Sequence, residues 1–161
     1  MNVLVLNGSP KGDLSVTLRY LQYLERVFPE FNLEICNVAQ RVQSLEKKPE
    51  KFEAVITSVR QADLVVWSFP LYILLICSQY KRFIELIFER QAEEAFAGQY
   101  AMAISTSIKY HDNWAQNYMR AISDDLAMNF LGAYSARMRD LTDSRERRRL
   151  EGLLAKEAVP E

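Results

Sequence analysis

Histidine and cysteine are nearly missing from this chain, which has one His and two Cys in 161 residues. Cys36 and Cys77 lie far apart in apolar surroundings, so neither a CxxC nor any spacing suited to zinc or an iron–sulfur cluster exists, and no metal site is expected. Thiols this sparse fit a reducing compartment, and the cytoplasm is the expected location. With His111 the lone imidazole, no Ser/His/Asp or Cys/His catalytic set can be assembled. An excess of one charge is missing too. The 20 Lys plus Arg against 21 Asp plus Glu leave a net charge of −1, which gives counterion release no global source and makes nucleic acid an unexpected partner. The N-terminal MNVLVLNGSP has no basic region and too short an apolar run for a secretory signal. One uncharged stretch, residues 64–80, falls short of the ~20 apolar residues of a membrane span and contains Pro70. It reads as a strand over Leu64 to Ser68, a turn at Phe69 to Tyr72 and a loop leading into a helix, with no membrane role expected.

What is present suits one packed domain over residues 1–161. Apolar residues at 49% and charged residues at 25% supply a core without disulfide or metal staples. Val3 to Leu6 is a short apolar run ended by Asn7-Gly8, the profile of a parallel strand buried on both faces. Leu18, Leu21, Leu24 and Phe28 predict a helix, with Ser15 near its start and Pro29 closing it. Leu33 and Ile35 suggest a second strand, and a polar connection rich in Gln, Lys and Glu leads to a helix carrying Phe52, Val55, Ile56 and Val59. After the third strand, Tyr80, Phe83, Ile84, Ile87 and Phe88 form another helical stripe, ended by Gly98. Tyr100 to Thr106 reads as a fourth strand. Trp114, Tyr118, Ala121, Ile122 and Leu126 mark a helix, Asn129 to Ser135 a fifth strand, and Asp143 to Ala155 a last helix. This alternation forces right-handed parallel crossovers and a three-layer α/β sandwich. Such sheets bind ligands beyond the carboxyl ends of their strands, so the site belongs to the loops Asn7 to Asp13, Phe69 to Leu75 and Ser105 to Asn113.

The segment Gly8 to Thr17, GSPKGDLSVT, places three hydroxyls, a lysine and two glycines at a helix N-terminus. Free N–H groups and the helix dipole attract a dianion there, Ser9, Ser15 and Thr17 can donate hydrogen bonds, and Lys11 adds charge, so phosphate binding is preferred to a plain turn and cap. Neither a Walker A lysine–hydroxyl pair nor a GxGxxG is present, which disfavours a nucleoside triphosphatase. Gly8-Ser9-Pro10-Lys11, followed by Ser15 and Thr17, resembles the phosphate loop of the NAD(P)H-dependent FMN reductases, a flavodoxin-like family that includes the flavodoxin domains of iron–sulfur flavoproteins. Pro70-Leu71-Tyr72, then Tyr80-Lys81-Arg82-Phe83-Ile84-Glu85, is similar to that family's proline-hydrophobe-tyrosine turn beside the flavin ring and the lysine-bearing helix after it. Ala97-Gly98-Gln99-Tyr100 and Ser105-Thr106-Ser107 resemble it too, and the likeness runs roughly from Asn2 to Tyr134. Val16 departs from it, standing where many members have asparagine. Ile73-Leu74-Leu75-Ile76 replaces a smaller, often glycine-containing stretch, and the cluster-binding cysteines are missing.

The resemblance implies a flavodoxin-like sandwich with a five-stranded parallel sheet of order 2-1-3-4-5, with FMN and NAD(P)H as cofactors. It implies an oxidoreductase passing reducing equivalents from a nicotinamide to a flavin, quinone or other small-molecule acceptor, with the chemistry at the flavin N5 and no catalytic residue demanded of the protein. The implied cofactor contacts are Ser9, Lys11, Ser15, Val16 and Thr17 at the phosphate, Pro70, Leu71, Tyr72 and Ile73 beside the ring, and Thr106, Ser107 and Ile108 at its polar edge. Tyr72 would flank the ring, core packing being its alternative role. Trp67 is assigned to the core, Cys77 to an inert buried thiol and His111 to an exposed loop. Arg137, Arg139, Arg145, Arg147, Arg148 and Arg149 interleave with Asp140, Asp143 and Glu146 as on a solvated face. A homodimer or higher homo-oligomer is expected, because relatives complete the pocket across a subunit boundary and Ile73 to Ile76 is apolar. The alternative is a flavodoxin-type electron-transfer domain without its own nicotinamide site, which could belong to a longer protein; such carriers are usually markedly acidic, unlike this chain.

Overall fold

Five parallel strands make one sheet in the computed structural model, which describes residues 1–107, 112–136 and 143–155. They are β1 (Asn2–Asn7), β2 (Asn32–Cys36), β3 (Leu64–Pro70), β4 (Tyr100–Thr106) and β5 (Asn129–Ala136), in the spatial order β2-β1-β3-β4-β5 that the resemblance implies. The helices are α1 (Val16–Val27), α2 (Val42–Lys47), α3 (Pro49–Gln61), α4 (Ser78–Glu89), α5 (Asn113–Asp125) and α6 (Ser144–Ala155). The chain starts in β1, moves outward to β2 and returns to β3 on the other side of β1, so the order reverses where β1 and β3 end, at Asn7 and Pro70.

Strand side chains alternate between faces, which divides the core in two. Val3, Val5, Leu64, Val66, Met102 and Ile104 meet Leu18, Leu21 and Leu24 of α1 and Leu150 of α6. Leu4, Leu6, Val65, Trp67, Phe69, Ala101 and Ala103 meet the apolar sides of α2 to α5. Trp67 lies in this second half as expected: it is fully buried, its ring stacks on Phe96 at 5.9 Å, and its indole N–H donates to Ser123 Oγ at 3.1 Å. Its partner across β3 and β4 is Ala103, whose small side chain leaves the indole room. The uncharged stretch is divided between β3, a turn and the start of α4. Among the described residues no helix is long and apolar enough to cross a membrane.

Several local expectations are corrected. The polar connection after β2 contains α2, whose buried Val42 and Leu45 are too few to give a periodic signal, and Lys48-Pro49 separates it from α3. Phe69 and Pro70 continue β3 rather than turning, paired with Ser105 and Thr106; a proline at the last position withdraws no interior ladder bond. The reversal comes later, where Tyr72 and Leu75 exchange backbone hydrogen bonds of 2.9 and 3.2 Å. On α5 the buried residues are Ala115, Met119 and Ser123, with Tyr118 and Ile122 partly buried, while Trp114 and Ala121 are exposed. Bulk misled the phase there, as it did on α4, where Leu86 is buried and Phe88 reaches the surface.

Arg82 fastens α2 to α4, with its guanidinium 2.7 Å from Glu46, 3.2 Å from Glu85 and 2.5 Å from Glu89. The hydrogen bond from Arg82 holds the Glu89 carboxyl below its ordinary value. A carboxylate lowered in the folded state adds stability that is present above the unfolded value of ~4.3 and lost as pH falls through the folded value. Arg82→Met is therefore expected to unfold at lower urea than the wild type near pH 7, with the gap closing below about pH 4. A gap of equal size at both pH values would assign the loss to packing instead.

Candidate functional site

The loop after β1 is built around a side chain from the strand itself. Asn7 is fully buried, so its amide must be satisfied internally. It donates to Gly12 O at 3.0 Å and Asn37 Oδ1 at 2.8 Å and accepts from the Ser9 N–H at 3.2 Å, while Asn37 donates to Asp13 Oδ1 at 2.7 Å. Gly12 has φ +55°, a left-handed turn position, and its N–H donates to Ser9 O at 3.1 Å. Gly8 has another constraint: a Cβ there would lie 2.2–2.5 Å from three ring atoms of Tyr80. The Gly8 N–H donates to Ser68 O at 2.7 Å, so the loop leaves directly from the β1–β3 junction.

Ser15 stands at the N-cap of α1 with extended backbone, but its hydroxyl caps nothing. It is 3% exposed, and among the described residues its Oγ has no partner. A buried hydroxyl left this way costs about 1–3 kcal/mol, a cost that a ligand acceptor would offset. Thr17 is fully buried, with Oγ1 2.8 Å from Thr106 Oγ1. The first N–H groups of a helix lack acceptors one turn back, and the positive end of the α1 dipole lies here; of these, the Leu18 N–H donates to Ser15 O at 3.2 Å. Ser9 is buried and Lys11 exposed; Val16 is half exposed, so its N–H rather than its side chain is what it can offer. An orphaned hydroxyl, a threonine pair, the positive end of a helix and one lysine fit a phosphate monoester, the anionic end of FMN.

The other two loops meet this one through Thr106. Leu71 N–H donates to Thr106 O at 2.9 Å, so the threonine is bonded to the turn after β3 through its backbone and to α1 through its hydroxyl. Pro70, Leu71 and Ser107 are partly buried, and the Ser107 N–H donates to Ala136 O at 3.2 Å. Tyr72 is 43% exposed, which argues against its core-packing role. Ile73 and Leu74 take φ of 39° and 74°, a left-handed conformation uncommon for such side chains, and Ile73 is 95% exposed. Ile108 and His111 lie outside the described residues, as do Arg137, Arg139 and Asp140. The Cys77 thiol donates to Gly8 O at 3.2 Å, and burial pushes its pKa upward, which keeps it protonated. Burial and the neighbouring Glu34 push the Cys36 thiol up to about 11.

Asn7, Asn37 and Tyr80 are the residues that sequence reasoning missed. Asn7 carried a usable signal, since an amide ending an otherwise apolar buried strand must find internal partners. Asn37 had none, because only the β1–β2 pairing brings it to the loop.

A family model described as NADPH-dependent FMN reductase matches residues 1–140. None of the curated proteins matches the chain by sequence. Among solved structures, an NADH:FMN oxidoreductase in its apo form superposes with a TM-score of 0.79 at 15% identity, covering 96% of this chain and 87% of the other. An FMN-dependent NADH-azoreductase from Bacillus anthracis str. Ames Ancestor, in complex with FMN, gives a TM-score of 0.72 at 15% identity, covering 99% and 100%. The NAD(P)H:(acceptor) oxidoreductase FerB from Paracoccus denitrificans gives 0.72 at 16%, covering 96% and 93%. At these identities the structural likeness is one of fold.

Proposed function

We propose, from the premise that this chain belongs to the NADPH-dependent FMN reductase family, that the three loops form its flavin site, with the phosphate at α1 and the ring between the turns after β3 and β4. The protein is an FMN-dependent NAD(P)H oxidoreductase, and a carrier domain without a nicotinamide site is not favoured by a family of reductases. The observation that carries the placement is the buried Ser15 hydroxyl, unpartnered among the described residues, beside the Thr17–Thr106 pair at the start of α1. Ser9, Ser15 and Thr17 would donate to the phosphate with the Val16 N–H, and Lys11 would supply charge from the loop's exposed side. Pro70, Leu71, Tyr72 and Ile73 would border one side of the ring, and Thr106, Ser107 and Ile108 the other. Bound FMN supplies the transfer of reducing equivalents from the nicotinamide to an acceptor. The protein's part is to bind, orient and shield, which suits a chain with one histidine.

The reading extends to a small-molecule electron acceptor, a single domain over residues 1–161, a cytoplasmic location and no nucleic-acid partner, in keeping with a net charge of −1. It also includes a homodimer or higher oligomer, supported by the apolar turn whose tip, Ile73, stands in solvent. Incubation with excess FMN is expected to give a yellow protein with quenched flavin fluorescence, bleached rapidly by NADH or NADPH without oxygen. Failure to retain flavin would overturn the site. Retained flavin that stays yellow with both nucleotides would point to a carrier instead.

A further inference from the structure

Two side chains from the start of α4 reach back to the mouth of the phosphate loop. The Tyr80 hydroxyl donates to Leu6 O at 2.7 Å, and the Cys77 thiol donates to Gly8 O at 3.2 Å. Those carbonyls flank Asn7, whose amide holds the Ser9 N–H and Gly12 O. The chain of contacts therefore runs from α4 through two backbone carbonyls to the Asn7 side chain, and from there to the curve of the loop. Tyr80 is itself fixed: it is fully buried, its ring lies 6.2 Å from the rings of both Trp67 and Phe69, and Gly8 approaches it as only a glycine can.

We propose that Tyr80 is a positioning residue for the phosphate loop, with Cys77 as the second point of the same clamp, and that it sets the preference of this protein for phosphorylated over unphosphorylated flavin. The proposal rests on the FMN reading of the site. The geometry separates it from plain core packing, because besides the packed ring the hydroxyl makes a directed bond to β1, at Leu6 O. A phenol serves this role well: burial drives its pKa well above the ordinary value, so it remains a donor across the working range.

Tyr80→Phe keeps the ring and removes the donor. The FMN Kd is expected to rise roughly tenfold, about one hydrogen bond's worth of loop order, while the riboflavin Kd stays within about twofold. Cys77→Ala should lower the FMN-to-riboflavin preference in the same direction, and Cys77→Ser, which restores a donor, should recover it. Riboflavin and FMN weakening together, or an unchanged preference in both Tyr80→Phe and Cys77→Ala, would assign these residues to packing alone. If Tyr80→Phe does not fold, the Cys77 pair decides. Amide hydrogen exchange on the flavin-free protein gives a reading independent of the ligand: Ser9 and Gly12 should exchange roughly tenfold faster in Tyr80→Phe, with α6 unchanged. Unchanged exchange at Ser9 and Gly12 would overturn the clamp. A wild type that binds no flavin would overturn the functional reading and leave exchange to judge the clamp.

Discussion

Gly8→Ala is expected to destabilise the fold by about 2–3 kcal/mol and to weaken FMN binding by more than roughly a hundredfold. The added carbon would lie 2.2 Å from Cδ1, 2.4 Å from Cε1 and 2.5 Å from Cγ of Tyr80. Relief by ring movement is blocked, because the ring is fully buried between Trp67 and Phe69 and its hydroxyl is bonded to Leu6 O. Backbone movement breaks something as well, since the Gly8 N–H is bonded to Ser68 O and its carbonyl to the Cys77 thiol. Gly12 makes a useful contrast. A Cβ there meets Gln40 at 2.3 Å, but Gln40 is an exposed, flexible side chain, so Gly12→Ala should cost mainly its left-handed backbone, about 1 kcal/mol. Urea unfolding and flavin fluorescence titration on both variants provide the check. A Gly8→Ala protein with wild-type midpoint and FMN affinity would show that the packing yields and that Tyr80 does not demand a glycine there.

The sheet was legible because burial on both faces writes strands as apolar runs, as in Val3 to Leu6 and Ala101 to Ile104, and because α/β alternation leaves few topologies. α2 was not legible: two buried residues three apart look the same in a loop as in a helix. On α5 the volume of Trp114 outweighed the smaller Ala115, although the small side chain is the one that fits against the sheet. At the site, Gly8 to Thr17 could be read as an anion loop because its residues are contiguous and their chemistry is local. The contacts that shape that loop are not contiguous. Asn37 bonds to Asn7 across 30 residues, Tyr80 to Leu6 across 74 and Thr106 to Thr17 across 89, and such encounters are settled by strand order and register rather than spacing. The Ser15 hydroxyl was hidden for the opposite reason. A serine before a helix reads as a cap, yet in the fold this one caps nothing.

Thr17→Val is expected to weaken FMN by about 1–3 kcal/mol, or roughly five- to more than a hundredfold, with riboflavin affinity nearly unchanged. The substitution keeps the branched shape in a fully buried position and removes only the hydroxyl. It also strips Thr106 Oγ1 of its 2.8 Å partner, so the flavin-free protein should lose about 0.5–1.5 kcal/mol as well. Measuring both quantities separates the two roles of the residue. Thr17→Ser retains the hydroxyl and should stay close to wild type in both, unless the methyl is needed to hold the rotamer toward Thr106. Ionic strength gives a further discriminator. With Lys11 the one basic residue in the loop and the remaining donors neutral, FMN affinity should fall only weakly with added salt, in contrast to sites built on clustered arginines. If Thr17→Val titrates with FMN as the wild type does, the Thr17–Thr106 pair is a structural tie between α1 and β4, and the phosphate is held by Ser9, Lys11, Ser15 and the backbone without it.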